Sequence, residues 1–411
     1  MNRLLQVYLH DHYVGDLMQD HSGVMTFRYT STWLKTPNAR ELSHSLPLQE
    51  ARFNQKACRG FFSGLLPEDD SRKRIAQILG ISARNDFTLL EAIGGECAGA
   101  VSFVSEESAR FQAEPDYRSV SNDELAEILR ILPSRPLLAG EDGVRLSLAG
   151  TQDKLAVYFD QPGNQILIPL GQSPSTHILK PPNPRFPGLV DNEFVCLYLA
   201  NAIGLETAHP WKQPVAGVDC LLVKRYDRRW NDDGKLDRVH QEDFCQALGI
   251  ACEKKYQSEG GPSLKQCFDL LRRVSSQPVL DLMALLDAVI FNYLIGNHDA
   301  HGKNFSLVYR DNRTQLAPLY DLVCTTYYPE LSPRMAMKIG NAYNSKDVLR
   351  RDFEILANDI GFSPSRVCQR VGEVAEKIIS DVEAHKRSET VSSEVLRLII
   401  ARCKKIKSIF G

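Results

Sequence analysis

Residues 280–296, LDLMALLDAVIFNYLIG, are apolar on nearly every face of a helix. A helix of that kind has to be surrounded by protein rather than laid on a surface. It runs straight into a polar stretch, Asn297-His298-Asp299-Ala300-His301-Gly302-Lys303-Asn304. A core helix that ends in a polar loop needs a sizeable domain around it. The 411 residues allow that, since roughly 150 residues per domain predicts two to three domains. Hydrophobic residues at 43% and charged residues at 24% are ordinary for a globular chain, which excludes a disordered, collagen-like or disulfide-scaffold protein. The net charge of −2 argues against a whole-surface nucleic-acid binder and leaves a local basic patch open.

No two of the ten cysteines are closer than seven residues, so there is no CxxC metal or redox pair. Several lie in apolar runs, as Cys196 does in FVCLYLANAIGL, and read as buried free thiols in a reducing compartment. No apolar run approaches the 18 or so residues of a membrane span, and the first residues lack a signal-peptide pattern. A cytoplasmic protein without a membrane partner is expected.

The alternation in LLQVYLHDHYVGDL and MTFRYTSTWL predicts an opening β-meander. Helices broken at Pro67 and Gly80 follow, then a helix, a glycine turn and a strand over NDFTLLEAIGGECAGAVSFVSEE. SNDELAEILRIL is a capped helix. From Val144 the pattern turns to strands: VRLSL, LAVYFD and QILIPL, then THILK, a helix DNEFVCLYLANAIGL and the strand GVDCLLVKRYDRRW. From about Asp243 the chain is mainly helical, interrupted by the hairpin FSLVYRDNRTQLAPLYDLV. The expected class is therefore α+β: a mixed module, a β-rich lobe, then a helical lobe.

Asp299 and Asn304 stand five residues apart in a loop after a buried helix. Protein kinases use that spacing to place a base and a Mg²⁺ ligand at one phosphoryl group. Taken alone, the pattern reads as a polar turn capping a helix. Asp321 follows the hairpin, where kinases place a second metal ligand; a carboxylate and an amide are the oxygen donors that Mg²⁺ prefers. Upstream, Lys180 ends THILK and can meet phosphates as a point charge. Glu193 opens the next helix and can pair with that lysine. Ser147-Leu148-Ala149-Gly150-Thr151-Gln152-Asp153-Lys154 has small residues that let backbone amides approach phosphates, although as a lone segment it reads as a hairpin turn. These five signals fall in kinase chain order.

LSHSLPL, FFSGLLPEDD, LSLAGTQDK, THILK, DNEF, VKRYDRRW, QEDFCQALG, NHDAHGKNFS and LYDLV together resemble the HipA family, serine/threonine-protein kinase toxins of bacterial HipBA type II toxin–antitoxin modules. The resemblance runs over essentially the whole chain. It implies a protein-kinase-like two-lobe fold with an added N-terminal α/β subdomain. The implied division is an N-terminal subdomain at 1–110, a kinase N-lobe at 111–226 and a helical C-lobe at 227–411. It implies Asp299 as catalytic base, Asn304 and Asp321 as Mg²⁺ ligands, and Lys180 as phosphate-binding lysine. Ala149, Gly150, Thr151, Gln152, Asp153 and Lys154 would form the loop over the ATP phosphates. Lys224, Arg225 and Tyr226 would hold adenine through their backbone. His301, Gly302, Lys303 and Asn304 would border the nucleotide. Ser147 matches the family's inhibitory autophosphorylation site.

Known members arrest translation by phosphorylating an aminoacyl-tRNA synthetase, glutamyl-tRNA synthetase in the best-known case, and so promote persistence. They are neutralised by HipB, a helix-turn-helix antitoxin, and the complex represses its own operon by binding operator DNA. Lys346, Arg350 and Arg351 are the residues here that would touch DNA phosphates; on their own they read as a solvated helix face. The segment after Met337 matches the family only loosely, and the hinge carries Lys224 where an acidic residue can occur. The alternatives are a catalytically silent co-repressor and a small-molecule kinase like the aminoglycoside phosphotransferases. His298 reads as orienting Asp299 or capping the helix. His240 reads as structural, Asp227, Arg228 and Arg229 as ion-paired, and Trp33, Trp211 and Trp230 as packing residues.

Overall fold

The computed structural model describes residues 3–105, 114–385 and 393–410. The chain forms two compact units. The first takes in residues 1–181, 213–253 and 308–310, and the second residues 182–212, 254–307 and 311–411. The expected boundary near residue 110 lies outside the described residues.

The first unit opens with the expected meander. Its four-stranded antiparallel sheet has the order Met25–Tyr29, His12–Gln19, Arg3–Leu9, Val101–Ser105. Leu5, Val7 and Leu9 alternate into the core, as a half-buried strand requires. Gly15 is obligatory, because a Cβ there would lie 2.5 Å from the Phe27 ring. Helices Gln55–Phe62 and Asp86–Ile93 are capped by Asn54 and Asn85, whose side chains accept backbone N–H groups of the first turn. Helix Asp69–Ile78 lies between Pro67 and Gly80, the two predicted breaks. Phe27, Phe61, Phe62 and Phe103 fill the core with edge-to-face contacts.

A second, six-stranded sheet has the order Asp116–Ser119, Gln165–Leu170, Leu155–Asp160, His177–Lys180, Val218–Lys224, Pro210–Val215. VRLSL is not one of its strands, so residues 147–154 are not a hairpin turn. Leu146 instead bridges Glu96 in parallel, and the Ser147 N–H donates to the Glu96 carbonyl at 2.9 Å.

The second unit is built on helix Pro278–Ile295, which packs against Leu264–Val274, Pro364–His385 and Ser393–Phe410. With Pro278 and Val279 included, this helix is long and apolar enough to cross a membrane on length and composition alone, contrary to the sequence expectation. Its two carboxylates are engaged within the unit, Asp281 by Ser275, Gln277 and the Leu316 amide, and Asp287 by Arg370. Its burial is not complete, since Val279 and Leu280 in the first turn are exposed. The hairpin strands are Ser306–Arg310 and Arg313–Leu316; Asp311 and Asn312 both have positive φ, as a two-residue primed turn requires.

All ten cysteines are buried and free. Trp33 packs as expected, donating Nε1–H to the Arg40 carbonyl. Trp230 does not: it is 52% exposed, with a ring-edge contact to Tyr158. His240 is structural. Its Nε2 pairs with the Leu42 carbonyl and its ring stacks on Tyr309.

Glu242 is buried and accepts from the Ser43 hydroxyl, the Tyr309 phenol and the His44 N–H. Burial raises its carboxyl from 4.5 to about 7, against the pull of those donors. Between those two values the folded chain holds a proton that the unfolded chain has lost. Stability therefore falls as pH rises across that window and is level above it. Thermal melts should show a drop of a few degrees from pH 4.5 to 7 that Glu242→Gln removes; an unchanged pH slope in the variant would contradict this.

Candidate active site

The loop Ala149 to Lys154 belongs to the first unit. Ser147, at its entrance, is fully buried and its Oγ donates to the Leu65 carbonyl at 2.8 Å. The Gly150 N–H donates to Glu68 Oε1 at 3.2 Å. Gly150 has φ +101°, and a Cβ there would lie 2.6 Å from Lys154 Nζ, so only glycine fits. Lys154 Nζ donates to the Ala149 carbonyl at 2.6 Å. Thr151 is exposed. Gln152 Nε2 is buried without a hydrogen-bond partner, a donor left over for an anion or a carbonyl. Burial raises the Asp153 carboxyl, against Arg74 and Lys154.

Lys180 ends its strand opposite Leu221 and is only 4% exposed. Lys224 is exposed at the end of the next strand. The Arg225 N–H is taken by the Thr176 carbonyl, and the Tyr226 carbonyl accepts from Arg310. The side chains of Arg225, Asp227 and Arg228 are occupied elsewhere. They form a buried cluster with Glu96 and Arg238, so the predicted ion pairs of Asp227 and Arg228 are present.

In the second unit, Gly296 ends the buried helix in the left-handed conformation and opens the catalytic-type loop. The loop is held from several sides. Asn297 donates to Asn292 at 2.8 Å and accepts the Asp299 N–H at 3.1 Å. The His298 N–H donates to Thr325 Oγ1, which in turn donates to the Gly296 carbonyl. His298 neither orients Asp299 nor caps the helix through its ring. Its Nε2 pairs with Ser345 at 2.7 Å, and burial lowers its pKa to about 4, keeping the ring neutral. The His301 N–H donates both to the Asp299 carbonyl (2.8 Å) and to Asn304 Oδ1 (3.1 Å), linking the two predicted residues. Gly302 and Lys303 are buried in the short turn Gly302–Asn304.

Asp321 sits at φ +51°, an uncommon backbone for a non-glycine residue and of the kind that collects at functional sites. Its neighbour Tyr320 donates to the Lys303 carbonyl at 2.7 Å and pairs with Ser306 at 2.6 Å. The segment carrying Asp321 is thus fastened to the loop carrying Asn304. Beyond it, Asn192 clasps Cys324 through both its N–H and its carbonyl. Glu193, next to Asn192 on helix Leu189–Ala202, is 1% exposed.

Asp299 itself is exposed and accepts from the Tyr256 phenol at 2.8 Å. Sequence reasoning did not find Tyr256, Tyr320 or Glu68. A tyrosine directly before Asp321 was the available signal for one of them. Among the described residues no three His, Cys, Asp or Glu side chains cluster to hold a metal. Lys346, Arg350 and Arg351 are exposed, and Arg350 pairs with Glu354.

Residues 146–382 match the model of the HipA-like C-terminal domain, and residues 5–104 that of the HipA N-terminal domain. The chain belongs to the HipA family. A Sinorhizobium fredii protein designated a kinase, Y4mE, is 45% identical over 378 residues, covering 91% of this chain and 90% of that one. The serine/threonine-protein kinase toxin HipA of Shewanella oneidensis is 28% identical over 388 residues, covering 91% and 87%. The solved structure of Shewanella oneidensis HipA with HipB and its operator DNA superposes with a TM-score of 0.84 at 27% identity, over 99% of this chain and 98% of that one. The HipA resemblance read from the motifs is therefore correct, as is the α+β kinase-like fold class. VKRYDRRW, one of the HipA motifs, supplies the buried ion cluster.

Proposed function

We propose that this chain is a serine/threonine-protein kinase toxin that transfers the γ-phosphate of ATP to a protein hydroxyl. The observation carrying this is the braced loop that links Asp299 to Asn304 and is fastened by Tyr320 to the segment bearing Asp321. Asp299 takes the acceptor proton. Asn304 and Asp321 hold Mg²⁺, which neutralises phosphate charge when bound. Lys180 meets the phosphates, with Glu193 as its proposed partner. Ala149 to Lys154 close over them, with Gln152 Nε2 as a waiting donor. Lys224 to Tyr226 hold adenine, and His301 to Asn304 border the nucleotide. Catalysis by such a site is mostly positioning and charge stabilisation.

The named relatives extend the proposal. A HipB-like helix-turn-helix antitoxin binds the chain, and together they occupy operator DNA and repress the operon, with Lys346, Arg350 and Arg351 at the phosphates. The target is an aminoacyl-tRNA synthetase such as the glutamyl enzyme, and its modification halts growth in the cytoplasm. The division into residues 1–110, 111–226 and 227–411 is part of the same reading. Transfer from γ-labelled ATP with Mg²⁺ tests it. Label should reach the chain itself and a synthetase from a purified panel. No label from a dephosphorylated chain that still binds operator with antitoxin would favour the silent co-repressor.

Ser147 is the proposed autophosphorylation site. Its hydroxyl is enclosed and bonded to Leu65, with no room for a phosphoryl group of charge about −1.5 to −2. Modification therefore requires the loop to leave its seat. Phosphorylated chain should be cut by trypsin at Lys154 at least ten times faster than Ser147→Ala chain incubated with ATP. Equal cutting rates would contradict the release.

A further inference from the structure

We propose that Tyr256 is a positioning residue for the Asp299 carboxylate: its phenol fixes one carboxylate oxygen and leaves the other to receive the acceptor proton. The inference rests on the kinase reading of Asp299 and deepens it.

Tyr256 stands at the edge of a turn that has little freedom. Its carbonyl accepts the N–H groups of Glu259 and Gly261, both at 2.9 Å. A Cβ on Gly261 would lie 2.4 Å from the Lys254 carbonyl oxygen and 2.7 Å from that of Tyr256, so the turn closes only around glycine. Gly260 contributes φ +96°. The Gln257 side chain accepts the Lys338 N–H at 2.9 Å and ties the turn to strand Arg334–Ile339. The phenol is therefore presented from a braced base.

From there the hydroxyl donates to Asp299 Oδ1 at 2.8 Å, and the ring meets His301 edge-on, with centroids 5.5 Å apart. Asp299 has its backbone held at both groups, the N–H by Asn297 and the carbonyl by His301. What remains free in an exposed aspartate is rotation of the carboxylate. Tyr256 removes that freedom. An ionised carboxylate is acceptor-only, with two oxygens. With Oδ1 engaged, Oδ2 is the oxygen to accept a hydroxyl proton, and a base works only when held within hydrogen-bond reach of that proton.

The test is Tyr256→Phe in the full-length, dephosphorylated chain, measured beside wild type and Asp299→Asn. Self-labelling and labelling of casein from γ-labelled ATP give kcat and the KM for ATP; a thermal melt gives folding. The phenylalanine ring keeps the His301 contact and loses only the donor. The expected result is a kcat three- to tenfold lower, with unchanged KM for ATP and unchanged melting temperature. A merely structural tyrosine would lower the melting temperature together with kcat, and that result would overturn the inference. An unchanged kcat would overturn it as well. So would a raised kcat, which would mean that the phenol blocks the base. A wild type that labels nothing would take down the kinase reading and this inference together; an active wild type, a dead Asp299→Asn and an unaffected Tyr256→Phe would take down the inference alone.

Discussion

Asp299→Asn is expected to lower phosphoryl transfer by 10² to 10⁴, the usual range for removing a positioned general base, while leaving the melting temperature within about a degree. The two halves of that expectation have separate origins. The side chain of Asp299 is exposed and accepts a hydrogen bond from the Tyr256 phenol, which an asparagine Oδ1 can still accept. The backbone bonds to Asn297 and His301 do not involve the carboxylate. Surface substitutions of that kind change stability by about 0.5 kcal/mol or less. The carboxylate's proton affinity has no substitute in the amide. Nucleotide affinity should also persist, because Lys180, Asn304 and Asp321 are unaltered. Equilibrium binding of ATP with Mg²⁺, a thermal melt and the labelled-transfer assay on one preparation separate these effects. Transfer within threefold of wild type would remove Asp299 from the role of base.

The candidate residues Asp299, Asn304 and Asp321 were legible because they are close in sequence. Asp299, Asn304 and Asp321 fall within one helix–loop–hairpin stretch, and the loop's own backbone links the first two. What braces them was not legible. Tyr256 reaches Asp299 from 43 positions away, and Asn192 clasps Cys324 across 132. No local pattern announces such pairings. The strand reading of VRLSL failed for the same reason. Its apolar alternation fits a strand, but its backbone pairs instead in an isolated bridge to Glu96, some fifty residues upstream. Trp230 failed differently: its size favoured burial, yet it occupies a short ribbon, Arg228–Trp230 with Leu236–Arg238, that leaves the ring largely in water.

Glu96 carries the largest expected effect on folding. It lies in IGGECAGA, where nothing but its charge sets it apart, and it is fully buried. Its Oε1 accepts from Arg228 at 2.7 Å, from Arg225 at 3.2 Å and from the Ser175 N–H and hydroxyl at 2.9 Å; its Oε2 accepts from Arg238 at 2.7 Å. Asp227 is the only other carboxylate bonded to these arginines among the described residues, taking Arg225 through both oxygens. Burial alone would raise the Glu96 carboxyl, but Arg228, Arg238 and Arg225 outweigh it and hold the group at about 2, against an ordinary 4.5. Its stabilisation is thus complete above pH 4.5 and is lost as pH falls toward 2. Glu96→Gln leaves three buried guanidinium groups facing one carboxylate, and removing one partner of a buried pair costs about 3–5 kcal/mol. Urea unfolding at pH 7 should show that loss, and the variant should lack the wild type's extra acid sensitivity between pH 4.5 and 2. The damage should also reach the loop Ala149 to Lys154. The Glu96 carbonyl receives the Ser147 N–H, and the Glu96 N–H donates to the Arg145 carbonyl, so loosening the cluster loosens the seat of Ser147. Amide hydrogen exchange at Ser147 should rise with the fall in stability. A loss below about 1 kcal/mol, or an exchange rate at Ser147 equal to wild type, would mean that Arg225, Arg228 and Arg238 find their compensation without Glu96.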